Sequence, residues 1–111
     1  MTKFHRGESA SPAIILLDVI FREYLNLKAS LIKITLGEAR GCVHFDGQSM
    51  IELPLPVSAA MFMAMKALIG YDPQRYPIDI EGCFEYECDG KGHNLNAWIS
   101  DSQRIMEIER S

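Results

Sequence analysis

Cysteine, histidine and paired carboxylates are the side chains in this 111-residue sequence whose types could do chemistry, and their spacing decides what chemistry is open to them. Cys42 and His44 stand two apart in a strand-like stretch, so both occupy one face. A thiolate and its base must point at each other, whereas neighbours on one strand face point the same way, and no third residue is placed to orient the imidazole. Cys83 and Cys88 are five apart, which sends them to opposite faces, and His93 approaches Cys88 only across a hairpin. None of this has the spacing of a zinc knuckle, so Cys88 is read as core and the others as surface or half-buried strand positions. Glu85 with Glu87, and Glu107 with Glu109, each share a strand face. A solvated face accounts for them, because acid or base catalysis needs one carboxylate desolvated by its surroundings. Gly90-Lys91-Gly92 lies between two strands rather than between a strand and a helix, so it is a turn and not a phosphate loop. These residues imply no enzyme activity, no metal site and no cofactor.

The composition sets the frame in which these residues must be held. One domain fits in this length, and a 48% hydrophobic content supplies an ordinary core. Fifteen acidic against eleven basic residues give a net charge of −4, which offers no broad attraction to a phosphate backbone and argues against nucleic-acid binding. The apolar run Ala13 to Phe21 is interrupted by Asp18, is too short to span a bilayer, and is followed by Arg22-Glu23-Tyr24 rather than a small-residue cleavage site. No direct membrane insertion is expected. An odd number of cysteines without a pairing motif fits a reducing compartment, and a cytoplasmic location is expected.

The positioning elements follow from hydrophobic period and turn chemistry. Residues 1–11 carry no period and are read as a flexible lead-in, leaving 12–111 as a single domain. Ser11-Pro12 reads as an N-cap with proline at the first helical position. Ile14, Leu17, Ile20, Phe21, Tyr24, Leu25 and Leu27 then recur at helical spacing to about Lys28, with Asp18, Arg22 and Asn26 on the other face. After Lys28 the period becomes two. Strands are expected at Leu31 to Leu36, Cys42 to Asp46 and Ser49 to Leu53, the second pair joined at Asp46-Gly47, where both turn positions favour positive φ. Pro54 and Pro56 end the third strand. Val57 to Ile69 is a second helix, stopped by Gly70, and residues 71–81 form an irregular connection. Further strands are expected at Cys83 to Cys88, His93 to Ser100 and Ile105 to Glu109, the first two joined through Asp89-Gly90. The order αβββαβββ, with hairpins enforcing antiparallel pairing and two apolar helices needing a surface to cover, specifies a two-layer α+β domain with an antiparallel sheet.

The second helix is the most unusual stretch. Its only charge is Lys66, and Met61, Phe62, Met63, Met65, Leu68 and Ile69 cover almost its whole circumference. Such a helix needs burial on more than one side, or offers an adaptable thioether face to a partner. Trp98 alternates with Leu95, Ala97 and Ile99 in a way that leaves its indole outward. Phe62, Met63, Lys66 and Trp98 are accordingly the residues expected to bind a partner.

In sequence order, Ala29-Ser30-Leu31-Ile32-Lys33, His44-Phe45-Asp46-Gly47, Leu53-Pro54, Met65-Lys66-Ala67-Leu68-Ile69-Gly70-Tyr71-Asp72 and Pro77 to Phe84 resemble the domain immediately N-terminal to the motor of type II secretion and type IV pilus assembly ATPases. There the run goes approximately A-S-D-I-H, R-x-R-x-D-G, L-P, a helix with I-K-x-x-A-G-x-D, then P-x-D-G-R and R-x-S before a strand ending in arginine. The likeness covers about residues 13–110 and implies a PAS-like fold. Walker motifs are absent, so the resemblance brings no ATP hydrolysis to this chain. The family's phosphate-facing arginines are replaced as well, with Cys42 and His44 in the R-x-R positions and Trp98-Ile99-Ser100 in place of R-x-S. Leu31 and Lys33 replace the aspartate and histidine of A-S-D-I-H, Pro77-Ile78-Asp79-Ile80-Glu81-Gly82 lengthens the P-x-D-G stretch, and only Arg110 keeps the final arginine, at a terminal position where a fixed contact is not expected. The implied role is a stand-alone, non-catalytic interaction or regulatory module whose partner is a secretion or pilus ATPase, or a second copy of the chain. The alternative implied by a PAS-like fold is a small-ligand sensor.

Overall fold

The computed structural model describes residues 2–4, 11–70 and 79–111. Its elements are β1 (Thr2–Lys3), α1 (Pro12–Asn26), β2 (Leu31–Leu36), β3 (Arg40–Phe45), β4 (Gln48–Pro54), α2 (Leu55–Leu68), β5 (Ile80–Cys88), β6 (Lys91–Ser100) and β7 (Ile105–Arg110). Helices and antiparallel strands follow the order αβββαβββ, with the two-residue β1 added in front. The sheet runs β1-β5-β6-β7-β2-β3-β4, antiparallel throughout except that β1 lies parallel to β5. Both helices lie on one face of it. No described helix is long and apolar enough to cross a membrane.

Local chemistry explains the elements. The Ser11 hydroxyl accepts from the Ile14 amide at 3.3 Å, and Pro12 opens α1 where a missing N–H costs nothing. Two Asp-Gly turns close β3 to β4 and β5 to β6, with φ of 51° and 83° at Asp46 and Gly47, and 53° and 79° at Asp89 and Gly90. Consecutive positive φ values give the mirror-image turn whose twist matches that of the strands. Asp46 also holds the entry to β2, because its carboxylate accepts from the amides of Ser30 and Leu31, each at 2.9 Å. The chain passes from β4 into α2 through Pro54, and Pro56 is accommodated in the first turn, so α2 starts earlier than Val57.

The core lies between the layers. Leu17, Phe21 and Tyr24 of α1 and Met61 and Met65 of α2 are fully buried against Ile32, Ile34, Phe84, Tyr86, Leu95, Ile99, Met106 and Ile108 of the sheet. Phe21 sits among aromatic rings, with centroids 5.2 Å from Phe4, 5.2 Å from Tyr86 and 5.5 Å from Phe84. α2 approaches β3 where Gly41 leaves room for Ser58.

Three features depart from the sequence expectations. Thr2 and Lys3 extend the sheet instead of belonging to a loose lead-in, and Phe4 is buried among the aromatics. A two-residue strand is too short to show a period, and tertiary contact alone holds it. Asp18 turns inward, where its carboxylate accepts from the Tyr86 hydroxyl at 2.6 Å, so it does not belong to the solvent face of α1. Arg110, expected to be poorly placed for a fixed contact, donates to the Ala29 carbonyl at 2.8 Å and lies 4.9 Å over the Tyr24 ring. Burial raises the Tyr24 hydroxyl pKa above its ordinary value, and this guanidinium opposes the shift. The expected irregular connection over 71–78 lies outside the described residues, while Ile80 and Glu81 already belong to β5.

Candidate functional surface

The four residues expected to bind a partner are not brought together. Met63 is 58% exposed on the outer side of α2, whereas Phe62 is buried in the core on the neighbouring helical position. Lys66 is buried too, with its ammonium ion-paired to Asp101 in the turn between β6 and β7. The long stem packs beneath the helix while the charge reaches a carboxylate, which is how a lysine tolerates burial. Trp98 stands half-buried on the sheet face away from both helices, between Glu81 on β5 and Glu107 on β7. The sheet separates it from Met63, so the two belong to different surfaces.

The residues whose types could do chemistry are placed by the sheet, and His44 Nδ1 is buried without a hydrogen-bond partner among the described residues. Cys42 and His44 point to the open sheet face beside Thr35 and Lys33. Cys83 lies opposite Asn96, whose side-chain oxygen is 3.4 Å from the thiol. Glu85 and Glu87 both engage Lys3, at 3.6 and 3.3 Å, and the Lys3 ammonium pKa is raised by its hydrogen bond to Glu87 and by the two negative charges. Among the described residues no group of three histidine, cysteine or acidic side chains is arranged to hold a metal ion.

A different surface carries the unexplained apolar residues. β4 is the outermost strand beyond β3, and among the described residues nothing pairs with its outer edge. Val43 lies opposite Ile51 but His44 lies opposite Ser49, so Met50 is an extra residue forming a bulge. In a regular strand Met50 and Ile51 would face opposite sides. The bulge re-aims the chain and brings both to one groove, of about 210 Å³, walled by Val19, Ile20 and Glu23 of α1 and floored by Val43 and Phe45. Met50 is 41% exposed, Ile51 40% and Val19 50%. Ile15 and Leu27 are also exposed, Leu27 against the expectation that it belongs to the inward set because α1 ends at Asn26 and leaves it as the cap, and they continue the stripe Ile15-Val19-Glu23-Leu27 at four-residue spacing. The one charged residue of β4, Glu52, is bound at 2.5 Å by Arg40 of the adjoining strand.

This surface was missed in the sequence, although two signals for it exist. Ile15, Leu16 and Val19 are the large apolar residues left over once the inward set of α1 is assigned. Met50-Ile51 breaks an alternating pattern, which is what a bulge looks like before folding. A free strand edge flanked by exposed apolar side chains can accept another strand through main-chain hydrogen bonds, with specificity from the side-chain groove. No family model matches the chain, and a search of curated proteins finds no match either.

Proposed function

We propose that this chain is a non-catalytic protein-interaction or regulatory module, related to the pre-motor domain of type II secretion and type IV pilus ATPases, and that it docks through the α1–β4 surface. The observation that carries this reading is the unpaired β4 edge beside exposed Val19, Met50 and Ile51. Exposed apolar residues scattered singly need no explanation, but a cluster beside a free strand edge is characteristic of an interaction surface. The relationship to the ATPases rests on the order of the motifs from Ala29 to Phe84 and on their place in an αβββαβββ chain. The loss of arginines at Cys42, His44 and Trp98 favours a scaffold over a nucleotide sensor.

The test is affinity capture from the native cytoplasm with bound proteins identified by mass spectrometry, comparing the unaltered chain with Ile51→Lys. Recovery of a secretion or pilus ATPase, lost in a variant with unchanged circular dichroism, supports the reading. A chain that binds no protein, itself included, overturns it.

One observation favours the sensor alternative. A hollow of about 370 Å³ lies between β1 and the two helices, lined by Lys3, Phe4, Ile14, Leu17, Ala64 and Met65 among others. Its size and its mainly apolar lining with one charged group fall within the range of small-molecule sites. Native mass spectrometry of gently purified protein distinguishes the two, since a sensor retains a small molecule and a docking module does not require one.

A further inference from the structure

We infer that the open face of the sheet, opposite the helices, binds an arginine-bearing segment of another protein, with the guanidinium seated on Trp98 between Glu81 and Glu107. This goes beyond the α1–β4 reading and does not rest on it. The register places Trp98 of β6 directly opposite Glu81 on β5 and Glu107 on β7. The three side chains form one row across adjacent strands, with neighbouring Cβ atoms about 4.5–5.5 Å apart. Asn96, two residues before Trp98 on the same face, lies opposite Glu109 and so brings a third carboxylate to the diagonal position. The Asn96 amide also donates to the Glu81 carboxylate at 2.9 Å, which holds that carboxylate next to the indole without neutralising it.

Charge selects the occupant. Cross-strand rows are stabilised by aromatic pairs, by an aromatic beside a β-branched residue, or by opposite charges, and an indole between two carboxylates is none of these. A solvated face explains each glutamate singly, but not a tryptophan set among them. The ring face is the negative part of the indole quadrupole, so two flanking anions leave the row unbalanced until a cation is added. Among the described residues no cation stands over Trp98, whereas Arg110 stacks on Tyr24 in the helix layer. Lys3 is engaged by Glu85 and Glu87, and Arg40 by Glu52. Lys33 faces Glu107 from β2, on the side away from Trp98 and two strands from it. The β5–β7 part of the open face thus carries Glu81, Glu85, Glu87, Glu107 and Glu109 against Lys3, while the basic residues Lys33 and Arg40 lie towards β2 and β3. An arginine completes the row, since its planar guanidinium stacks on an aromatic face while its N–H groups bond carboxylates at the ring edge. The row is open and flat, a surface that receives a side chain carried by a polypeptide rather than enclosing a free small molecule.

Trp98 is the only tryptophan of the chain, so its fluorescence reports on this row directly. Titration of the full chain with acetylated nona-arginine amide should change that emission saturably. Nona-lysine should bind more weakly, and nona-citrulline, similar in shape but uncharged, should give no change up to about 1 mM. The double variant Glu81→Gln with Glu107→Gln, both surface positions, should raise the nona-arginine dissociation constant about tenfold, the weight of two charge-assisted contacts. Glu38→Gln with Asp89→Asn removes the same charge from two exposed turns away from the row, and should change it by less than about twofold because salt screens distant charges. Absence of a saturable change with nona-arginine overturns the inference. Equal effects of the two double variants overturn it as well, as does nona-lysine or nona-citrulline binding as tightly as nona-arginine, because a diffuse acidic surface does not distinguish these cases.

Discussion

Replacing Gly41 by alanine tests how α2 is seated on the sheet. A Cβ built at Gly41 would overlap Ser58 Oγ and lie 2.5 Å from Ser58 Cβ, with the Thr35 carbonyl oxygen at 3.4 Å on the other side. Ordinary carbon contacts are about 3.5–4.0 Å, so α2 would have to retreat by roughly 1 Å. Ser58 is fully buried, its hydroxyl donates to the Pro54 carbonyl at 3.1 Å, and its Cβ cannot rotate away. Overpacking of this kind costs about 1–3 kcal/mol, and the rigidity of both partners places Gly41→Ala near the upper end. For a chain of this length that corresponds to a fall in Tm of about 10 °C. Ser58→Gly alone should cost about 1 kcal/mol through helix propensity and the lost hydrogen bond. The double variant removes the clash, so it should be about 2 kcal/mol more stable than the sum of the single effects, a coupling within the range of directly touching residues. Urea unfolding of the four proteins by circular dichroism gives all these values. Additive effects, or a Gly41→Ala change below about 0.5 kcal/mol, would refute the packing of Ser58 on Gly41.

Three further outcomes are expected. Asp46→Ala should lose about 1–2 kcal/mol in urea unfolding, because it removes the acceptor for two amides and places a β-carbon residue without a compensating side-chain bond at φ 51°, while Asp46→Asn should retain most of the stability. Met63→Asp should change stability by less than about 0.5 kcal/mol, as surface substitutions do, whereas Phe62→Asp should prevent folding by burying a charge, a contrast that thermal melts resolve. The raised pKa of Tyr24 means that the folded state holds this proton more tightly than the unfolded state. Its contribution is therefore fully present below the unfolded value of about 10 and is lost as pH rises through the folded value, so the urea midpoint should decline above pH 10 less steeply in Tyr24→Phe.

Local signals in the sequence were sufficient for the ladder of elements. The alternation of Ile32, Ile34 and Leu36, the two Asp-Gly turns and the Ser11-Pro12 cap each act within a few residues, and the structure places each of them as expected. What depended on distant partners was not legible. Phe4 joins the core only because β5 presents Phe84 and Tyr86 to it, and Asp18 faces inward only because the Tyr86 hydroxyl reaches it from 68 residues away. For the same reason the partner-binding expectations divided between surfaces. A helix that is apolar all round does not say which of Phe62 and Met63 meets the sheet. The β6 alternation makes Trp98 outward, but only the position of both helices on the opposite sheet face separates it from Met63. The β4 edge is the extreme case, since its exposure follows from the strand order and from no feature of Gln48 to Pro54 alone.

The most direct test of docking through β4 is hydrogen exchange followed by mass spectrometry on the native chain, alone and in complex with the protein it captures. The expected result is slower exchange of the amides in 48–54 in the complex, with the exposed side of α2 around Met63 unchanged. Exchange in 48–54 that is the same with and without the captured protein, with protection appearing instead around Trp98 on β6, would contradict it and move the docking surface to the open face of the sheet.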